Sequence, residues 1–175
     1  REPTIVNPSE DDDVLSADAS SSALRGSYDI TVQQLASGSR ITTDAGAFTS
    51  SSDPVLSSGT GSLTFSIPGG DSFTINVDSG TSLVDLREAI NSADDNFGVT
   101  ANIIDTGTAE GPRLVFLSEE TGDGNDLVIN NDTGATELDR LSTAGGTSNI
   151  SAANIESAKN AIAFVDGIEV QSQSN

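Results

Sequence analysis

Among the side chains of this 175-residue sequence that could take part in chemistry, the densest group is Gly122-Asp123-Gly124-Asn125-Asp126-Leu127. Its spacing fits one unit of a glycine-rich calcium nonapeptide, in which Asp carboxylates and backbone carbonyls surround a hard cation. Such units bind by stacking on a neighbour, and the sequence holds a single copy. An EF-hand fails at Leu127, where Asp or Asn would be required. A turn between two strands explains the same residues more simply, so no metal ligand is assigned. Glu119 with Glu120, or Asp94 with Asp95, offers adjacent carboxylates. Acid–base work on a glycosidic bond needs two carboxyls across a cleft at a set separation, which neighbours in sequence do not establish. Among 27 acidic residues such pairs arise by chance.

Nucleophilic chemistry fares no better. Ser and Thr are abundant, but there is no His to activate them, no Cys, and a single Lys, Lys159. The pairs Gly69-Gly70 and Gly145-Gly146 lack a phosphate-binding Lys and read as turns. No catalytic, cofactor-binding or metal residue is therefore assigned. Asn131-Asp132-Thr133 and Asn149-Ile150-Ser151 match the N-glycosylation triplet, which is common by chance. Asn91 is the polar residue that stands out. Its two readings are a fixed partner contact and a helix C-terminal residue whose side chain satisfies loose backbone groups, and the second asks for less.

The element that positions Asn91 is well marked. Over 82–95, Ser82 sits where an N-cap belongs and Asp85 completes a capping-box pattern. Leu83, Leu86, Ile90 and Ala93 recur at spacings of three and four, giving one apolar face. Gly98 ends the unit, and Val99, Ala101 and Ile103 alternate as in a half-buried strand. Leu63, Phe65 and Ile67 alternate before the turn residues Pro68 to Asp71, as do Phe73, Ile75 and Val77 after it, predicting an antiparallel hairpin. Tyr28, Ile30 and Val32 predict a strand, with a weaker one over 14–20. Further short strands are expected over 113–117 and 127–129, a short helix after Thr136, and a modest helix over 151–160. Ala161 to Val165 and Ile168 to Gln171 flank Asp166-Gly167, a strong hairpin signal because both turn positions need positive φ. Residues 1–13 read as an irregular lead-in, and 37–62 as a linker or long loop containing a domain crossing.

Composition bounds the function classes. The 27 acidic residues against seven basic ones leave a net charge of −20. Nucleic acid and anionic membrane surfaces are excluded as partners, since both need clustered Lys and Arg. No apolar run reaches the roughly 18 residues of a membrane helix. Without cysteine there is no disulfide framework. The absence of any Met is read as the mark of a piece excised from a longer protein.

Three blocks carry a family resemblance. The stretch from Leu83 through Ala89-Ile90-Asn91 to Gly98-Val99 and Ala101 resembles the "IN" motif of bacterial flagellar axial proteins. Gly26-Ser27-Tyr28-Asp29-Ile30-Thr31-Val32 through Leu35-Ala36 resembles a strand of the filament cap family, also called hook-associated protein 2. Val165-Asp166-Gly167-Ile168 through Val170 and Ser174-Asn175 resembles that family's closing hairpin. The resemblance covers roughly residues 14–175. It implies a mainly β fold with minor α content, made of two small β-rich domains with antiparallel sheets, one inserted into the other. The inner domain would be 14–45 plus 155–175 and the inserted outer domain 46–154, carrying the helix at 82–95.

The function implied is structural and non-enzymatic: the outer domains of a cap that forms a ring at the flagellum tip, outside the cell, retains flagellin and promotes its polymerisation. The partners implied are other copies of the protein and flagellin. Hook–filament junction proteins and an export chaperone would be met through other segments, and adhesion is a further property of the family. No cofactor, nucleic acid or membrane is implied. The alternatives are an extracellular calcium-stabilised adhesin module and the outer region of another hook-associated protein or a flagellin.

Overall fold

The computed structural model describes residues 3–6, 16–147 and 149–175. Much of the expected lead-in over 1–13, and Val14 and Leu15 of the weak strand, lie outside these residues. Ser16 to Ser20 are irregular rather than a strand.

Among the described residues, ten strands run in chain order as β1 (Ile30–Gln34), β2 (Gly38–Thr42), β3 (Thr60–Ser66), β4 (Ser72–Asp78), β5 (Val99–Asp105), β6 (Pro112–Thr121), β7 (Val128–Asn131), β8 (Ile155–Glu156), β9 (Ala161–Val165) and β10 (Ile168–Ser172). One α-helix, α1 (Leu83–Asn91), lies between β4 and β5. The strands form three sheets, ordered β1-β9-β10, β5-β6-β2-β8 and β4-β3-β7, and every strand pair in them is antiparallel.

The last two sheets pack face to face around an aliphatic and phenylalanine core. Phe65 stacks on its cross-strand neighbour Phe73 at 4.9 Å and meets Phe116 of the facing sheet at 5.7 Å. The hairpin of β3 and β4 has the expected alternation: Leu63, Phe65, Phe73, Ile75 and Val77 point inward and the residues between them outward. Helix α1 closes one side of this sandwich with Leu83, Leu86 and Ile90, all fully buried. Each such side chain contributes on the order of 1.5–3 kcal/mol relative to exposure.

The β1-β9-β10 sheet is different. Its strands carry no buried residue, and Ile30, Val32, Ile168 and Val170, which share one face, are all exposed. The tight turn at its hairpin is as expected, with Asp166 at φ 51° and Gly167 at φ 81°.

Three differences from the sequence reading have physical causes. Gly38–Thr42 is a strand, although GSRIT has one large apolar residue. Ile41 and the small, polar Ser39 are its buried residues, and the backbone pairs with β6 on one side and β8 on the other. The change of sheet falls at 35–37. Helix α1 stops at Asn91 rather than running to 95, because Asn91 turns its side chain to β5. The modest helix over 151–160 is only a 3-10 turn, Ala152–Asn154, since Ile155 and Glu156 are drawn into pairing with β2.

Candidate functional site

The helix-to-strand unit begins with a complete capping box. Ser82 Oγ accepts from the Asp85 N–H at 3.1 Å, and the Asp85 carboxylate accepts from the Ser82 N–H at 3.1 Å. Ser82 Oγ also donates to the Asp85 carboxylate at 2.7 Å, and this bond first, then that from the Ser82 N–H, holds the Asp85 carboxyl below its usual pKa. At the other end, Asn91 Oδ1 accepts from the Ala101 N–H at 2.7 Å, and Asn91 Nδ2 donates to the Ala101 carbonyl at 2.9 Å. The side chain thus behaves as one residue of a neighbouring strand along the outer edge of β5. It satisfies backbone groups, though those of the strand rather than of the helix end.

Asn96 supplies what Asn91 does not. Its Nδ2 donates to the carbonyls of Ile90 and Val99, each at 2.8 Å, while Oδ1 accepts from the N–H groups of Gly98 and Val99. The sequence reading missed this residue. The signal available was an Asn two residues before a glycine, in a turn where its short amide can reach the backbone on both sides.

The Gly122–Leu127 loop is a tie between the sandwich and the three-stranded sheet. Asp126 Oδ1 accepts from the Ala158 N–H at 2.8 Å, and the Asp123 N–H donates to Asn160 Oδ1 at 2.8 Å. Gln173 Nε2 donates to the Asp123 carbonyl, and Thr121 Oγ1 donates to the Gln173 carbonyl at 2.6 Å. Gly122 sits so close that a Cβ there would lie 2.5 Å from Gln173 Cβ. The Leu127 N–H is taken by Ser39 Oγ. Among the described residues, no three His, Cys, Asp or Glu side chains are grouped to hold a metal ion.

Asn175 closes the same junction. Its Oδ1 accepts from the Ala36 N–H at 2.7 Å and its Nδ2 donates to the Ala36 carbonyl at 3.0 Å. Ser37 and Lys159 exchange two backbone hydrogen bonds beside it. The Leu35-Ala36 and Ser174-Asn175 blocks, far apart in sequence, are therefore in direct contact.

Other singled-out residues are dispersed. Asp94 and Asp95 are exposed beyond the helix end, and Glu119 and Glu120 at the end of β6. Asn131 of the first glycosylation triplet is buried, its Nδ2 donating to Asp139 Oδ1 and to the Ala135 carbonyl. Asn149 of the second accepts from Ser142 Oγ.

Two clamps went unread. Arg140 reaches from the 3-10 turn Thr136–Leu141 to the carbonyls of Ala47, Pro54 and Val55, with its guanidinium 4.3 Å from the centre of the Phe48 ring. Burial holds its pKa below the usual arginine value. Asp44 accepts from Ser151 and Asn154. Burial alone would raise its pKa, but these bonds, with Arg113 nearby, outweigh it and lower the carboxyl below 3.8.

Fold and unit together define a mainly β protein of antiparallel sheets with one capped helix. The family described as "Flagellin hook IN motif" matches residues 62–118, and "Flagellar hook-associated protein 2 N-terminus" matches residues 3–39. The flagellar hook-associated protein 2 of Aeromonas caviae is 37% identical over 170 residues, which is 97% of this chain and 34% of that protein. The crystal structure of FliD (HAP2) from Pseudomonas aeruginosa PAO1 is 34% identical with a TM-score of 0.67, covering 90% of this chain and 70% of that one. The D2-D3 domains of the flagellar cap protein FliD from Escherichia coli superpose with a TM-score of 0.72 at 28% identity, covering 91% of this chain and 80% of that one. The chain belongs to the flagellar hook-associated protein 2 family, the FliD cap proteins. It spans about a third of the length of the curated relatives it matches.

Proposed function

We propose that this chain supplies the outer β-rich domains of a flagellar filament cap, exposed at the filament tip outside the cell. The observation that carries the reading is that all three family blocks are structural joints of one fold. The IN unit closes the sandwich, and the two terminal blocks meet at Ala36 and Asn175. The contribution is mechanical and non-covalent, with no catalytic step. In the whole protein these domains stand in a ring of identical subunits that retains flagellin and helps it polymerise beneath. The sandwich is the outer unit, inserted into an inner unit that contains the β1-β9-β10 sheet. In this reading the crossing is at Ser37 and Lys159, and the change of sheet membership there supports it.

Replacing the segment between Ser37 and Lys159 in the full-length protein by a short linker tests this in a flagellated strain. Flagellin lost to the medium and stunted filaments are expected. Normal filaments with no leaked flagellin would show that the segment has no part in capping.

A further inference from the structure

The two outer faces of the sandwich are unlike in charge and chemistry. On the β5-β6-β2-β8 sheet, alternation turns Arg40, Thr42, Ile104, Arg113, Val115 and Leu117 away from the core. Ile104, 49% exposed, lines a shallow depression of about 320 Å³ together with Arg40, Arg113, Val115 and Glu156, and Leu117, 39% exposed, pairs across from Arg40 on the same face. Arg113 Nε donates to the Thr43 carbonyl, which holds its stem in place. Arg40 stands across from Glu156 but forms no ion pair among the described residues. Two of the chain's seven basic side chains thus border exposed aliphatic groups, on a molecule of net charge −20.

The outer face of β4-β3-β7, on the opposite side of the sandwich, is polar and negative. Thr64 and Thr74 share a hydrogen bond at 2.7 Å, Ser62 and Thr64 both donate to the Asp132 carboxylate, and Asp78 lies exposed at the end of β4. These strands carry no Lys or Arg.

We propose that the Arg40–Arg113 face of one copy docks on the Thr64–Asp78–Asp132 face of the next. Copies with this net charge repel one another, so stable contact has to fall where positive and apolar groups meet carboxylates. Arginine is also among the residues that protein interfaces favour. Because the faces are different and lie on opposite sides, the contact is head-to-tail, the kind that generates a ring when its rotation closes. This rests on the ring reading above and assigns the surfaces that make it.

The test uses the full-length protein and sedimentation velocity, with circular dichroism as the control for folding. Arg40→Glu with Arg113→Glu, and separately Asp78→Arg with Asp132→Arg, should each weaken assembly by at least about tenfold. Mixing the two variants should restore it, because each then meets a complementary face. Arg87→Glu, on the helix, should leave assembly unchanged. Assembly that survives either double substitution, or a mixture that stays dissociated, overturns the assignment while leaving the ring reading intact. A wild-type protein that does not assemble defeats both.

Should a variant fail to fold, a photo-crosslinking residue at Ile104 gives an independent answer. Capture of residues 60–78 or 128–132 of a second copy supports the contact, and capture elsewhere overturns it.

Discussion

Asn91 holds both backbone groups of Ala101, at 2.7 and 2.9 Å, in the way a paired strand residue would. Asn175 does the same to Ala36, at 2.7 and 3.0 Å. An Asn amide presents one acceptor and two donors in a plane, which matches the spacing of one residue's N–H and C=O. Ala101 lies on the free edge of β5 and Ala36 in the connection between β1 and β2, and in both places a short side chain supplies the pairing without adding another strand.

Replacing Asn91 therefore carries a definite cost. Asn91→Ala should destabilise the chain by about 1–3 kcal/mol, the range for leaving buried backbone partners unmade. Asn91→Asp should not rescue it, since a carboxylate can accept from the Ala101 N–H but opposes the Ala101 carbonyl. Urea unfolding of the three proteins checks both expectations.

Arg140 is the second point of strain on substitution. Arg140→Leu abandons the carbonyls of Ala47 and Val55 and removes the cation from the Phe48 ring, at an expected cost of roughly 2–4 kcal/mol. Arg140→Lys should recover only part of this, because an ammonium lacks the planar fork that meets separate carbonyls. Thermal unfolding reports the difference.

Asp126→Ala should loosen the junction without touching the core. Amide exchange in β1, β9 and β10 is expected to accelerate, while β3, β5 and β6 keep their protection, since the three-stranded sheet has no buried residue of its own to resist opening. Millimolar calcium should leave the exchange pattern of both proteins unchanged. A calcium-dependent recovery of protection in the wild type alone would revive the cation reading of this loop.

Acid should weaken the fold through carboxylates whose pKa values are lowered on folding. Asp44, Asp85 and Glu137 are each held below their ordinary values of 3.8, 3.8 and 4.5 by hydrogen bonds. A depressed folded pKa means that the unfolded chain binds protons first. The contribution is complete above the ordinary values and is lost as pH falls through the lower, folded ones. Asp44→Asn should flatten the acid limb of a stability–pH curve and leave the neutral region parallel to wild type.

Much of this was legible in the residues. The Ser82–Asp85 cap, the alternation about Pro68 to Asp71 and the Asp166-Gly167 turn are local signals, each decided by a few neighbouring side chains. Strand β2 was not legible, because one inward Ile41 among Gly, Ser, Arg and Thr gives no period. It is a strand because β6 and β8 are there to pair with it. The helix limit was misjudged for a related reason, since Ala93 continues the apolar spacing while Asn91 answers to a strand ten residues on. Arg140 and Asp44 act over 85–110 positions, beyond the reach of any local pattern.

The Ser37–Lys159 pair gives the molecule a doorway one residue wide. Chain leaves and returns at adjacent backbone positions, and the Gly122–Leu127 loop adds side-chain ties back to Asn160 and Gln173. A guest fold whose own termini lie about 5 Å apart, the spacing of neighbouring strands, matches that attachment, provided it also replaces the ties that Thr121, Asp123 and Asp126 make to the hairpin.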